Sequence, residues 1–270
     1  MTAVTADAPA ITARVNRGHA VGDALTMAWR NILNIKRNPQ LLVFATIQPV
    51  IFVLMFRYVF GGAINVPGVP GGYVNFLIPG IIAQTAAFAT FGTAIALAAE
   101  LQKGVIDRLR SMPMARSAVL AGRLTADTIR MTVTILIVLG VGYAVGFRFQ
   151  NGFWPAVGMI VLAIVFGVAI CCIAAFTGLA IGDEESVQAF GLIWLFPLVF
   201  LSSAFVPIDT MPGWLQAFAN NQPVTYVVDT MRALALGGPV WDNLWKSAVW
   251  LIGIFVVFAP LAVRAYKRAS

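Results

Sequence analysis

The sequence predicts an all-α polytopic membrane protein with six transmembrane helices, an amphipathic interfacial helix ahead of them, and short outer helices that re-enter the membrane between spans five and six. Three observations predict it. First, 60% of the 270 residues are hydrophobic and only 11% are charged, with a mean hydropathy of +0.86, far more apolar than an ordinary globular domain. Second, apolar windows of about 20 residues, the length a helix needs to cross the hydrocarbon core, recur six times. Third, Lys and Arg gather beside alternate ends of those windows, as the positive-inside bias requires.

The first 18 residues are rich in Ala and Thr and have no apolar core, so residues 1–18 are expected to be a flexible cytoplasmic tail without a cleavable signal peptide. Residues 19–40 form the expected connecting helix. Ala24, Met27, Trp29, Ile32, Leu33 and Ile35 give it a broad apolar face, Arg30, Lys36 and Arg37 can meet phosphates, and Pro39 marks the turn into the first span. This segment reads either as a simple anchor or as a lever that touches a cytoplasmic partner and rotates with it.

Residues 41–264 contain the six spans, expected near 41–60, 76–99, 119–147, 153–181, 187–206 and 244–263. The third and fourth exceed the bilayer's requirement, so the third is expected to begin as a cytoplasmic extension and both can tilt. Arg14, Arg17, Arg30, Lys36 and Arg37 precede the first span, Lys103, Arg108, Arg110, Arg116 and Arg123 follow the second, and Arg264, Lys267 and Arg268 follow the sixth. All three groups belong in the cytoplasm, which puts both termini inside, with residues 265–270 as a second cytoplasmic tail.

Charged stretches within this apolar chain are the places to look for function. Glu100 to Arg116, ELQKGVIDRLRSMPMAR, must be a cytoplasmic loop because charge is costly at membrane depth. A short helix here would present Val105, Ile106 and Leu109 as an apolar ridge beside Asp107, Arg108 and Arg110, and Pro113 would end it. The ridge suits a protein groove, and the plainer alternative is an ordinary charged loop. No G-x-x-x-x-G-K-[ST] phosphate loop occurs in the chain, so the energy for any work is expected from a partner.

Arg123, Asp127 and Arg130 fall on one face of the third span, where Asp127 can pair with both arginines. Their position in the first few turns suggests a structural ion-pair network at the cytoplasmic interface. No acidic residue or histidine is expected at mid-depth, which argues against a proton-coupled relay. The net charge of +7 could suggest nucleic acid, but the basic residues flank apolar spans and form no separate basic domain. Cys171 and Cys172 are adjacent in an apolar run, with no loop to staple, and read as small core or lipid-facing residues.

The outer segment 207–243 is punctuated by Pro207, Pro212 and Pro223. Its amphipathic pieces Gly213 to Asn220 and Thr225 to Leu236 are each too short to cross, so they are expected to dip into the outer leaflet and return.

Two motifs then carry a resemblance. One is E-x-x-x-G-x-x-x-R-L-R-S-M-P-x-x-R at Glu100, Gly104, Arg108, Leu109, Pro113 and Arg116. The other is P-x-x-x-x-P-x-W-L-Q, followed by N-x-P and D-x-x-R, at Pro207, Pro212, Trp214, Leu215, Gln216, Asn221, Pro223, Asp229 and Arg232. With the surface helix and six spans, the match covers about residues 20 to 265. On these residues the chain resembles permease subunits of the ABC-2 type exporters, most closely the daunorubicin-resistance type of bacterial drug and lipid exporters.

The resemblance implies the type V exporter fold in the bacterial cytoplasmic membrane. It also implies a second permease subunit, either another copy or a related chain, and two cytoplasmic ATPase subunits that bind ATP and magnesium, this chain holding no cofactor, metal or catalytic residue of its own. The connecting helix and loop 100–117 would couple the ATPases to the membrane, through Glu100 as a pivot and through Gly104, Val105, Ile106, Arg108, Leu109 and Arg116. A translocation path would run along the second and fifth spans, where Phe88, Phe91, Phe190, Phe196 and Phe200 are the available aromatics, with packing or lipid contact as their plainer reading. Pro207, Pro212, Trp214, Asn221, Pro223 and Arg232 would belong to an outer gate.

A path lined by Phe, Leu and small residues with almost no charge suits a hydrophobic drug or lipid-like solute and is poorly matched to a small ion. Exporters of polysaccharide or teichoic-acid precursors share the architecture and are the alternative. A membrane assembly component that moves no solute is a further one. The acidic turn Asp183, Glu184, Glu185 has no assigned role at this level: it could dock a basic patch on the ATPase or be a solvated turn.

Overall fold

The computed structural model describes residues 39–62, 64, 69–104 and 116–268. The described residues are helical, with no strand among them. In chain order the helices are α1 (Pro39–Met55, continued by a π-helical turn Phe56–Phe60), α2 (Tyr73–Gln102), α3 (Arg116–Ala144), α4 (Phe153–Ile181), α5 (Glu184–Phe200), α6 (Gly213–Ala219), α7 (Pro223–Leu236) and α8 (Trp241–Arg268). The expected connecting helix and most of the loop after α2 lie outside the described residues.

Among the described residues, four stretches are long and apolar enough to cross a membrane: Tyr73–Gln102, Gly122–Ala144, Phe153–Ile181 and Trp241–Arg268. The helices at the first and fifth expected spans are shorter. Each of α1 and α5 has 17 residues, about 25 Å at 1.5 Å per residue, against a hydrocarbon core of roughly 30 Å. Helix α5 runs through Pro197 to Phe200, and the chain unwinds from Leu201. The expected fifth span to residue 206 is therefore a helix to Phe200 followed by an irregular segment.

Helix α2 is the centre of the molecule, packed against α1, α3, α4, α5 and α7, and α4 fills the space between α2 and α8. The burial pattern follows from this placement. Every residue of α2 from Tyr73 to Ala87 is buried, and Leu77, Ile78, Ile81 and Ile82 meet Ile135 of α3, Met159, Phe166 and Ile170 of α4, Leu195 of α5 and Val228 of α7 in one core. Helix α8 instead turns Trp241, Val249, Ile252 and Val256 outward, each more than 60% exposed. An apolar outer face of that kind is what lipid-facing helices require. Cys171 and Cys172 are buried free thiols.

The acidic turn has a structural explanation. Gly182, at φ +73°, ends α4 in the left-handed conformation. Asp183 then caps α5: its Oδ2 accepts from the Ser186 amide at 2.8 Å and its Oδ1 from Gln102 Nε2 at 3.1 Å. Glu184 and Glu185 sit in the first turn, where the helix dipole favours negative charge.

Candidate functional site

Two polar constellations and one aromatic strip interrupt this apolar bundle. The first begins at Glu100, near the end of α2. Glu100 Oε1 accepts from Arg123 Nη1 at 2.5 Å, Arg123 Nε stands 3.9 Å from Asp127 Oδ2, and Asp127 Oδ1 is 3.3 Å from Arg130 Nη2. Thr93 Oγ1 donates to Asp127 Oδ2 at 2.6 Å and itself accepts from Cys171 Sγ at 3.4 Å. Arg130 Nη2 also donates to Ala89 O at 3.0 Å.

Arg123, Asp127 and Arg130 are the second, sixth and ninth residues of the apolar stretch Gly122–Ala144, so the pairs expected on one face of its first turns form, and Arg130 carries the ladder on to Ala89. Ala89 lies near the midpoint of the 30-residue α2, about 20 Å from Gln102 by helical rise, and all three α3 charges fall inside the apolar stretch Gly122–Ala144. Asp127 is likewise an acidic residue within that stretch. They can lie there because each carries an opposite charge or a carbonyl within reach, which a charge at depth requires.

The second constellation lies at the opposite end of α2, near Tyr73 and Phe76. Where α5 has unwound, the carbonyls of Leu201, Ser203, Ala204 and Phe205 accept from side chains that come from three other places. Arg232 of α7 donates through Nη2 to Ser203 O and to Ala204 O, the latter at 3.2 Å, through Nε to Phe76 O at 2.9 Å, and through Nη1 to Asp229 Oδ1 at 2.9 Å. Its guanidinium carbon lies 3.5 Å from the Phe76 ring centroid, a cation–π contact. Tyr73 Oη donates to Phe205 O at 3.1 Å, Gln222 Nε2 to Leu201 O at 3.0 Å, and Ser203 Oγ to Asp229 Oδ1 at 2.8 Å. The backbones are so close that a Cβ on Gly80 would stand 2.0 Å from Ala204 O.

Between these two lies the aromatic strip. Phe91 and Phe88 of α2 are 5.5 Å apart by centroid, and Phe88 meets Phe196 of α5 edge-on at 6.1 Å. Phe196 stacks on Phe200 at 4.2 Å and Phe200 on Phe205 at 5.0 Å. From Phe205 the strip continues to Phe56 at 4.9 Å and on to Phe60 at 5.2 Å. It therefore runs along α2 and α5 and ends on the π-helical turn after α1.

The residues singled out from sequence distribute unevenly over these features. Phe88, Phe91, Phe196 and Phe200 come together in the strip, while Phe190 lies outside it, 45% exposed. Glu100 is in the charge ladder. Gly104 follows α2 with φ +64°, a conformation that explains glycine at this point of the motif, and its amide donates to Leu101 O at 3.1 Å. Arg116 opens α3, and Val105, Ile106, Arg108 and Leu109 lie outside the described residues.

Of the outer residues, Arg232 is the bolt just described and Pro223 is the first residue of α7. Pro212 caps α6 through its carbonyl, which accepts from Leu215 and Gln216 amides, and Pro207 O accepts from Thr210. Asn221 Nδ2 donates to Ala217 O at 2.8 Å, closing the far end of α6, and Trp214 stands 74% exposed. Sequence reading missed Tyr73, Phe76, Ser203 and Gln222 at the bolt, and Phe52, Phe56 and Phe205 beside the strip. The usable signal was the D-x-x-R charge pair in an otherwise apolar helix, which had to find partners.

Comparison with known proteins places these features in context. The family model described as "ABC-2 type transporter" matches residues 23–236. The chain is 35% identical over 257 residues to the daunorubicin resistance ABC transporter permease protein DrrB1 of Streptomyces coeruleorubidus, covering 95% of this chain and 90% of that one. It is 34% identical over 227 residues to the probable doxorubicin resistance ABC transporter permease protein DrrC of Mycobacterium tuberculosis, covering 84% and 81%. It is 24% identical over 219 residues to the putative transport permease ycf38 of Cyanophora paradoxa, covering 79% and 74%.

Proposed function

The chain belongs to the ABC-2 type transporter family, and from that premise we propose that it is the permease subunit of an ATP-driven exporter of hydrophobic drugs or lipid-like metabolites. The observation that carries the cargo class is the aromatic strip. Stacked and edge-on rings from Phe91 to Phe60 offer a sliding apolar surface without fixed charge, which favours flat, greasy molecules and gives a hydrated ion nothing to replace its water. The drug-resistance names of the similar proteins from Streptomyces and Mycobacterium point the same way.

In this reading α1 to α5 and α8 are the six crossings of a multi-pass protein in the bacterial cytoplasmic membrane, with both termini inside. Helices α6 and α7 form the outer re-entrant segment, and Arg232 keeps it docked on α2. Residues 19–40 and 100–117 meet the ATPase, which supplies ATP and magnesium chemistry that this chain does not perform. The ladder from Glu100 to Arg130 gives that contact a rigid polar link into the bundle, tying α2 to α3. The assembly would hold two ATPases and two permeases.

The test is ATP-dependent uptake of daunorubicin into everted vesicles carrying this chain with the ATPase encoded beside it. Uptake that needs both chains supports the reading. Uptake of a lipid-linked sugar and not of daunorubicin would transfer it to the polysaccharide class, and ATP-insensitive behaviour toward both would remove the exporter assignment.

A further inference from the structure

A groove of about 390 Å³ lies between α4 and α8, lined by residues that include Phe176, Leu179 and Ala180 of α4 and Leu261, Arg264 and Arg268 of α8. It belongs to neither polar constellation and to no part of the aromatic strip. Phe176 meets Phe258 edge-on at 6.0 Å, and Leu179 shares a small core with Ala262, Tyr266 and Leu97. The two helices therefore run side by side in one direction, and the groove lies toward the end of the bundle that holds Glu100. Helical spacing sets what it presents. Phe176, Leu179 and Ala180 stand at i, i+3 and i+4 on α4, and Leu261, Arg264 and Arg268 at i, i+3 and i+7 on α8, so each helix turns one face into it. Its floor is apolar, and charge enters only toward the end, about 5 Å and 10 Å along α8 from Leu261 by helical rise.

The charge at that end has no counter-ion in the groove. No acidic residue is among the described residues that line it, and among the described residues the Arg264 side chain makes no hydrogen bond or ion pair. The first carboxylate after α4, on Asp183, is engaged by Ser186 and by Gln102 of α2. Arg264 and Arg268 are exposed, and α4 ends at Ile181 while α8 continues to Arg268. A guanidinium recognises phosphate oxygens through its planar fork, and an apolar floor next to it wants hydrocarbon. A free anion would leave that floor uncovered, and a neutral hydrocarbon would leave the charge unpaired. An anionic head joined to an acyl chain satisfies both, as basic pockets between membrane helices do. Lipid has access from the side, because Ile252 and Val256 of α8 face outward.

We propose that this groove binds one anionic phospholipid, its phosphate held by Arg264 with Arg268 beside it and the start of an acyl chain laid along Phe176, Leu179 and Leu261. The inference rests on the chain's place in a membrane and not on its cargo. The lipid is a bound companion of α4 and α8, away from the strip on α2 and α5.

The test is native mass spectrometry of the full chain in mild detergent, titrated with phosphatidylglycerol and with phosphatidylcholine of the same acyl chains. The first phosphatidylglycerol is expected to bind about tenfold more tightly, the size of one charge-assisted hydrogen bond. Arg264→Gln should lower it to the level of phosphatidylcholine and leave the latter unchanged. Lys267→Gln, which removes an equal charge from the same turn but outside the groove, should keep the preference. Ala180→Trp, which fills the floor from α4 and spares both arginines, should abolish it. Equal binding of the two lipids, a preference that survives Ala180→Trp, or the same loss in Lys267→Gln as in Arg264→Gln overturns the site. Displacement of the lipid by glycerophosphoglycerol, the head group without acyl chains, would make it a site for a free anion and overturn it too. Absent ATP-driven daunorubicin uptake by the wild-type complex would overturn the exporter reading alone and leave the lipid preference standing.

Discussion

Arg232 shows how one side chain can hold an irregular segment inside a packed helical bundle. The buried unwound stretch after Phe200 leaves carbonyls that accept from side chains of other elements, and a guanidinium is the one side chain with five donors in a fixed fork. Removing it as Arg232→Ala leaves Ser203, Ala204 and Phe76 carbonyls and the Asp229 carboxylate short of donors. The expected loss is about 3 kcal/mol, read as a lowered unfolding midpoint in detergent, and Arg232→Lys should recover only part because an ammonium cannot span the same carbonyls. Asp183 is a smaller case in an exposed turn. Hydrogen bonds from Ser186, and then from Gln102, hold its carboxyl below the usual carboxylate range. A depressed folded value means that the cap is fully present above the unfolded value near 4 and is lost as pH falls through the lower folded one. The Ser186 amide chemical shift should therefore titrate below pH 4, and Asp183→Ala should give the uncapped shift at every pH.

At the level of helices, α2 and α5 act together through the aromatic strip. Phe196 is about half exposed yet stacks on Phe200 and meets Phe88, so it has less packing to lose than a core residue and more surface to offer a passing solute. Phe196→Ala is expected to raise the KM for ATP-driven daunorubicin uptake several-fold while changing the basal ATPase rate little. A purely structural role would instead reduce the amount of folded protein and leave KM alone. The helices themselves were legible in sequence because apolar length is a local property: α2, α3, α4 and α8 each contain the expected apolar run. The early end of α5 was less so, since a chain can unwind inside a packed bundle only where neighbours supply partners for its carbonyls. Those partners, Tyr73, Gln222 and Arg232, come from distant parts of the chain.

For the whole molecule, the proposed exporter reading needs motion at the ATPase contact to reach the membrane helices. The charge ladder offers a stiff connection: Glu100 on α2 grips Arg123 on α3, and the pairs continue to Arg130 at the middle of α2. If residues 100–117 meet the ATPase, Leu109→Asp or Arg108→Glu should leave the chain inserted and the ATPase co-purifying at reduced yield, with ATP-driven uptake lowered at least tenfold. Normal uptake and normal ATPase stimulation in both variants would refute the coupling role. The sequence by itself determined the class of the protein, the position of its long apolar helices, the two motifs that tie it to its family, and the charge pairing along one face of α3. These are written in composition, in periods of three to four residues and in short spacings. The tertiary structure decided how far along α2 that charge ladder reaches, which of five candidate phenylalanines share one strip, and that Arg232 bolts the segment after α5 to α2. Each depends on residues far apart in the chain meeting at a few ångströms, and no local pattern encodes that distance.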